Sequence, residues 1–205
     1  MSVNVLFDVD NIKDQIPYYL TRPQKEGLIE ALKDFPTNTK YYLGNYPEEL
    51  KYAILQGDIF ADITVYGPLG QRKTKGIVLS NSCDVDTSNK RELPMRALFA
   101  PLVSLEKLIQ LFETEKVPTD TITSKIEAIK KQQVTNMVYL PENDNFKESV
   151  VFLDDIYQMP AKDLKELLDE KCKLVTLSQV GFYILLFKLS IHFCRFHEDV
   201  KRYDH

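Results

Sequence analysis

Residues 57–67, GDIFADITVYG, form the stretch that decides the fold of this chain. Its apolar side chains stand at every second position, at Ile59, Ala61, Ile63 and Val65. Successive side chains of a β-strand point to opposite faces, so this alternation is typical of a strand with one buried face. The sequence therefore predicts that these four side chains share one face of a sheet.

Polar turns and further short strands follow this stretch. The Gly-Pro-Leu-Gly turn at 67–70 leads into QRKTK, residues 71–75, which we interpret as a basic loop. Further strands are predicted at 76–80, 96–103, 137–140, 149–156 and 173–177. Short strands separated by turn clusters are typical of a β-barrel or a β-sandwich.

Helical patterns flank the strands and interrupt them once. Apolar residues at helical spacing predict helices at 22–35 and 46–55, and Pro160 is expected to open another. Ser104 is the expected N-cap of the first of two helices inserted at about 104–133, and Ser178 that of the final helix. The sequence therefore predicts an α+β protein, with a mixed α/β N-terminal extension at 1–55 and a barrel domain at 56–205.

Composition limits the classes of function. The 205 residues are 44% hydrophobic and 27% charged, which is the balance of a soluble globular protein. The formal net charge of −4 means that any binding to phosphates must come from a local basic patch. Three cysteines without a CxxC spacing favour neither a disulfide framework nor a zinc site. We expect no metal and no other cofactor.

The sequence also suggests a location. The start of the chain, MSVNVLFDVDN, lacks the features of a signal peptide. The most apolar stretch, 180–196, is interrupted by Lys188 and His192 and is short for a membrane span. We therefore expect a cytoplasmic protein without a membrane anchor.

The order of the motifs carries a family resemblance. GDIF is followed by the basic segment, by GIVLSN, by LFAPLVSL and finally by SVVFLDDIYQMPAKDL, which precedes two helical patterns. This order resembles that of the PemK/MazF toxin family. The resemblance implies a small SH3-like β-barrel with a C-terminal helix, a metal-independent RNA endonuclease activity, a homodimer and an antitoxin partner. The N-terminal extension and the inserted helices are additional to that pattern.

The resemblance also implies a catalytic site. In the family, an Arg and a Thr at the ends of two strands are thought to cut RNA by letting the 2′-hydroxyl attack its own phosphate. Here it implies Arg72 as the electrostatic stabiliser, with Thr74 or Ser104 as the supporting hydroxyl. Thr74 and Lys75 stand where the family has Arg-Pro, and Val103 stands where it has the Thr.

A basic rim is the second candidate site. Its predicted RNA-binding residues are Gln71, Lys73, Lys75, Lys90, Arg91 and Arg96. Such a rim suits single-stranded RNA, with Tyr66 as a stacking platform. The alternative is that these loops are simply charged and solvated. In that case the domain is a non-catalytic module that binds a protein partner or nucleic acid.

The loop at 80–86, SNSCDVD, is the third candidate. Cys83 beside Asp84 has the residue types of a nucleophilic site, although a neighbouring carboxylate raises the pKa of a thiol. The alternative is that Asn81 and Asp84 form side-chain turns while Cys83 packs as a small apolar group. We favour the turn interpretation.

Three weaker patterns complete the candidates. Asp8, Asp10 and Asn11 stand at the end of a strand predicted at 3–9, as the metal-binding carboxylates of nucleases do. The alternative is that they form an ordinary turn. His192 and His197 are five residues apart on the predicted final helix, whereas ligands on one helical face are three or four apart. Asp154 and Asp155 are expected to form a turn or a salt bridge.

Overall fold

The computed structural model describes residues 21–32, 39–45, 47–67, 70–86, 88–89 and 92–193, and its fold is α+β as predicted. The strands are β1 (Ile59–Gly67), β2 (Gly70–Val78), β3 (Arg96–Ser104), β4 (Met137–Leu140), β5 (Ser149–Phe152), β6 (Tyr157–Pro160) and β7 (Lys173–Val175). The helices are α1 (Arg22–Leu32), α2 (Glu48–Lys51), α3 (Ser82–Val85), α4 (Leu105–Thr114), α5 (Thr119–Lys130), α6 (Ala161–Asp169) and α7 (Gln179–Phe193).

All seven strands belong to one antiparallel sheet. Six of them follow the order β4-β5-β3-β2-β1-β7, and β6 pairs with β3 beside this path. The long strand β3 is its centre, because its first half also pairs with β6 and its second half pairs with β5. Within the described residues the end strands β4 and β7 do not pair with each other. The sheet is therefore not closed into the barrel that we expected.

A β-bulge divides β1 and corrects the predicted alternation. Ile59 lies opposite Ile77 and Ile63 lies opposite Thr74, so the pairing shifts by one residue between them. Asp62 takes up the shift with a φ of 58°, in the left-handed region. Ile59 consequently packs on one face of the sheet while Ile63 and Val65 pack on the other. The prediction that they share a face is wrong.

The basic segment 71–75 is a strand and not the predicted loop, since it lies wholly within β2. Its side chains therefore alternate between the two faces of the sheet. Next to it, Gly76 allows a close approach of β1 and β3. A Cβ atom on Gly76 would lie 2.9 Å from Ile63 Cδ1 and 3.1 Å from Phe99 Cδ2.

Helices cover both faces of the sheet. We call the face that packs against α6 the α6 face, and its core contains Phe60, Ile63, Phe99 and Leu164. The opposite, α7 face contains Ile59, Ile77, Val151 and Leu185. The inserted helices α4 and α5 bury a third apolar cluster against β4 and β5.

The predicted helix starts are mostly confirmed. The Ser104 hydroxyl accepts the backbone N–H of Lys107 and caps α4, and the Ser178 hydroxyl accepts that of Gly181 at the start of α7. Pro160 directly precedes α6. The helix predicted at 46–55 is only the short α2.

Part of the predicted N-terminal extension is tied to the end of the sheet. Leu43 N donates to Thr176 O, and Ser178 N donates to Tyr41 O. Residues 39–45 therefore pack on the junction of β7 and α7. The carboxylates of Asp8 and Asp10 lie outside the described residues, as do Asn11 and His197. No described helix has the length and apolar character needed to cross a membrane.

Candidate functional site

The two faces of β2 separate the predicted site residues. Arg72 and Thr74 lie opposite Val65 and Ile63, which are both buried in the core of the α6 face. Directly opposite residues of an antiparallel pair point to the same face. Arg72 and Thr74 therefore extend from the α6 face, whereas the intervening Lys73 points the other way.

Arg72 meets two residues of the neighbouring turn and strand. Tyr157 begins β6, and its ring stacks on that of Phe99 with the centroids 5.9 Å apart and the planes at 25°. The Tyr157 hydroxyl interacts with the Asp155 carboxylate and with the Arg72 guanidinium. We call Arg72, Asp155 and Tyr157 the open cluster, because Arg72 is exposed and the other two are half-buried.

The charges of the open cluster determine the protonation state of the Tyr157 phenol. Hydrogen bonding to Asp155 and its negative charge raise the pKa of Tyr157 above its usual range, and Arg72 opposes that rise. At neutral pH the Tyr157 hydroxyl is therefore protonated and uncharged. A guanidinium has five N–H donors, and those not used here remain for an anion such as a phosphate.

The other two predicted catalytic residues differ in their positions. Thr74 is half-buried beside Arg72, and its hydroxyl donates to Lys75 O at 3.2 Å. The Ser104 hydroxyl accepts the N–H of Lys107 at 3.2 Å, at the end of β3. The structure therefore brings Thr74 to the face of Arg72 and gives Ser104 a capping role.

Lys73, Lys75 and Arg96, three of the predicted RNA-binding residues, make separate polar contacts. Lys73 Nζ lies 4.0 Å from Asp62 Oδ1. Lys75 Nζ donates to Asn145 O at 2.7 Å on the α7 face. Arg96 Nε donates to Gln158 Oε1 at 2.8 Å, on the side of β6 opposite to Tyr157. Lys90 and Arg91 lie outside the described residues. The exposed Tyr66 pairs with Gln71 and shares its face, away from Arg72.

The loop at 80–86 is held by its polar side chains. Asn81 Oδ1 accepts the N–H of Cys83 at 3.0 Å, and Ser82 Oγ accepts that of Gln56 at 2.9 Å. The predicted side-chain turn at Asn81 is confirmed. Cys83 is exposed, so the prediction that it packs as a small apolar group is wrong, and Asp84 next to it is exposed as well.

The remaining candidates have local roles. Asp154 Oδ2 accepts from Asn136 Nδ2 at 3.0 Å, and Asp155 N donates to Phe152 O at 3.2 Å, which confirms a turn between β5 and β6. The His192 ring packs edge-on against that of Phe193. Among the described residues, no three His, Cys, Asp or Glu side chains form a group that could hold a metal ion.

A buried ionic cluster lies on the other side of β1, and sequence analysis did not identify it. Asp58 and Lys173 have carboxylate and ammonium atoms 2.7 Å apart, and Asp58 has no exposed surface. Thr176 Oγ1 and Leu55 N also donate to this carboxylate. Burial raises the pKa of Asp58, while Lys173 and these hydrogen bonds lower it. We call Asp58, Lys173 and Thr176 the closed cluster.

Sequence analysis missed two of the three open-cluster residues as well. Asp155 was predicted to form a turn or a salt bridge, and Tyr157 was not selected. Asp155 lies in the turn between β5 and β6, so strand periodicity gave no signal that relates it to Tyr157. No family model matches the chain, and comparison with curated proteins finds no match either.

Proposed function

We propose that this protein binds single-stranded RNA at the open cluster, on a divergent SH3-like, PemK/MazF-type scaffold. The observation that carries the proposal is the exposed Arg72 guanidinium, which stands on the same face of the sheet as Thr74. A planar guanidinium with unused donors binds a phosphate through two parallel hydrogen bonds. The open cluster supplies that group in a protein whose net charge is negative.

The same arrangement supports metal-independent cleavage of the bound RNA. In that reaction the 2′-hydroxyl gives its proton to solvent and attacks the adjacent phosphorus. The bond to the 5′-oxygen of the next nucleotide breaks, that oxygen takes a proton from solvent, and a 2′,3′-cyclic phosphate forms. Arg72 would stabilise the negative charge that spreads over the phosphorane oxygens, and the Thr74 hydroxyl would donate to one of them. Neither role requires a metal.

The second candidate function is a non-catalytic module with the same scaffold. It is favoured by the engagement of both predicted hydroxyls, since Thr74 donates to Lys75 O and Ser104 caps α4. Such a module would hold RNA through Arg72 without cutting it, or would use the same surface for a protein partner such as an antitoxin.

The test is incubation of the purified protein with mixed-sequence single-stranded RNA in EDTA. We expect binding that Arg72→Ala weakens at least about tenfold, because a charged hydrogen bond to phosphate is lost. Arg22→Ala is the matched control, since Arg22 is another exposed arginine and lies on α1, outside the predicted sites. Cleavage that only Arg72→Ala abolishes would support the nuclease function. Binding without cleavage would support the non-catalytic module. Equal losses in both variants, or no contact with RNA, would contradict the proposal.

A further inference from the structure

A groove of about 390 Å³ lies between the inserted helix α4 and the loop that joins β4 to β5. Ligand-binding clefts have volumes of about 300–1,000 Å³, so the groove has room for several side chains of a partner. One of its walls is an inserted helix, which is additional to the family pattern. The groove shares no residue with the open cluster, and the proposed function does not use it.

The helical wall of the groove combines apolar and acidic side chains. Leu105 and Ile109 are four residues apart and Glu106 and Glu113 are seven apart, so each pair lies on one side of α4. Leu105 is 3% exposed and Ile109 is half-buried, whereas both glutamates are exposed. This wall therefore offers an apolar strip beside carboxylates that solvent reaches.

The loop wall is held in place by contacts with the rest of the fold. Leu105 N donates to Glu148 O at 2.9 Å, which joins the start of α4 to the loop. The Glu148 carboxylate accepts from the Tyr139 hydroxyl on β4 and lies 2.6 Å from Lys130 Nζ on α5. The groove is therefore preformed, and a partner would not spend binding free energy on ordering it.

Negative charge is in excess along the groove. Its ionisable lining consists of one lysine, Lys147, and four glutamates, Glu106, Glu113, Glu142 and Glu148. Lys147 Nζ on the loop wall lies 3.9 Å from Glu106 Oε2 on the helical wall, and both side chains are largely exposed. An exposed pair of this kind contributes little, so an ammonium group from outside can replace Lys147. In the part of the chain that the structure describes, Glu113 and Glu142 take part in no ion pair.

We propose that this groove docks a basic amphipathic segment of a partner protein. The apolar side chains of that segment cover Leu105 and Ile109, and its lysines or arginines meet the glutamates of the two walls. Charge complementarity selects this partner, because the acidic walls repel RNA phosphates and attract cationic side chains. An amphipathic helix binds a groove in the same manner, with its apolar face inward. The inference is independent of the proposed RNA binding, since the two surfaces share no residue.

The first test measures binding of synthetic helical peptides to the full chain by fluorescence anisotropy. The probe has leucines on one face and lysines on the other. A second peptide replaces the leucines by alanines, and a third replaces the lysines by glutamates. We expect the leucine–lysine peptide to bind at least about tenfold more tightly than the alanine–lysine peptide, because only its leucines bury apolar surface. The leucine–glutamate peptide should not bind.

The second test reverses the charge of the helical wall. Glu106→Lys combined with Glu113→Lys should weaken binding of the leucine–lysine peptide at least about tenfold, because attractive contacts become repulsive. The matched control is Glu166→Lys combined with Glu170→Lys, which changes the net charge equally at exposed glutamates at the end of α6. Its affinity should stay within about twofold of wild type, and urea denaturation checks that both variants are folded.

A third measurement needs no variant. In the 15N-labelled wild type, the leucine–lysine peptide should shift the amides of 105–113 and 142–148 and leave those of 71–74 unchanged. No binding of this peptide, equal affinity for the alanine–lysine peptide, equal losses in the two double variants, or shifts confined to another surface would each overturn the docking groove. None of these results depends on whether the protein binds RNA.

Discussion

Two charged clusters of this molecule share the same ingredients and differ in what surrounds them. The closed cluster has Asp58 at 0% exposure, with Lys173 and Thr176 on its carboxylate oxygens. In the open cluster the cation is exposed, and Arg72 and Asp155 act in opposite directions on the pKa of Tyr157. Every oxygen of the closed carboxylate is used internally, whereas the open guanidinium retains donors that face solvent.

The difference assigns a separate role to each cluster. The closed cluster joins the start of β1 to β7. Lys173 Nζ also donates to Leu50 O and Ala53 O, which ties β7 to the segment that precedes β1. Breaking it leaves a buried charge, so its loss should appear in the free energy of unfolding. Changing the open cluster leaves the core intact, so its loss should appear in ligand affinity.

Replacement of Lys173 by Met should have the largest effect. Removing one partner of a buried pair costs about 3–5 kcal/mol, because the remaining carboxylate has no compensating charge. We expect a loss of that size in the free energy of unfolding, measured by urea denaturation. Lys147→Met is the matched control, since the Lys147 side chain is 83% exposed and its loss should cost less than about 0.5 kcal/mol.

A double variant sharpens the same comparison. Asp58→Leu combined with Lys173→Met removes both charges, and apolar replacement of a whole buried pair is often nearly neutral. The double variant should therefore be more stable than Lys173→Met alone. If it is less stable, the cost comes from lost packing and not from the unpaired charge.

Lys188 is a second buried ionisable group. Its contribution to the free energy of unfolding should change with pH, by about 2 kcal/mol. It has no exposed surface, its Nζ donates to Gln132 O and Val134 O, and burial lowers its pKa to about 7. The unfolded lysine has a pKa of about 10.4, so between these values the unfolded state binds more protons. The free energy of unfolding should therefore rise with pH through this window.

The measurement compares wild type with Lys188→Met in urea at pH 7 and pH 9, because the other titrating groups are common to both proteins. We expect the wild type to gain about 2 kcal/mol more than the variant between these pH values. Equal pH dependence in the two proteins would show that Lys188 keeps the same charge in the folded and the unfolded state.

Ser104→Ala should have the smallest effect, and it distinguishes a cap from a catalytic group. Loss of an N-cap costs about 1 kcal/mol, which thermal unfolding would detect. RNA affinity and any cleavage rate should stay within about twofold of wild type, as for a surface change away from the site. A fall in cleavage rate without loss of stability would instead return Ser104 to the predicted catalytic set.

The sequence predicted the parts of the fold that local chemistry decides. The Ser104 cap and the strand at 137–140 appear where side-chain type and periodicity placed them, whereas the strand predicted at 149–156 ends at Phe152, where a turn begins. The bulge at Asp62 was not predictable, because a left-handed residue in an alternating strand leaves no mark on the pattern. Tyr157 was missed because the β3–β6 pairing that brings it to Phe99 joins segments far apart in the sequence.

The most direct test of the account is an NMR titration of the 15N-labelled protein with mixed-sequence single-stranded RNA in EDTA. We predict that the largest amide shifts occur at 71–74 and 155–158, with little change around Asp58 and Lys173. Shifts confined to other surfaces, or shifts as large around the closed cluster as around the open one, would contradict the assignment of separate roles. The absence of any shift would remove RNA as the ligand.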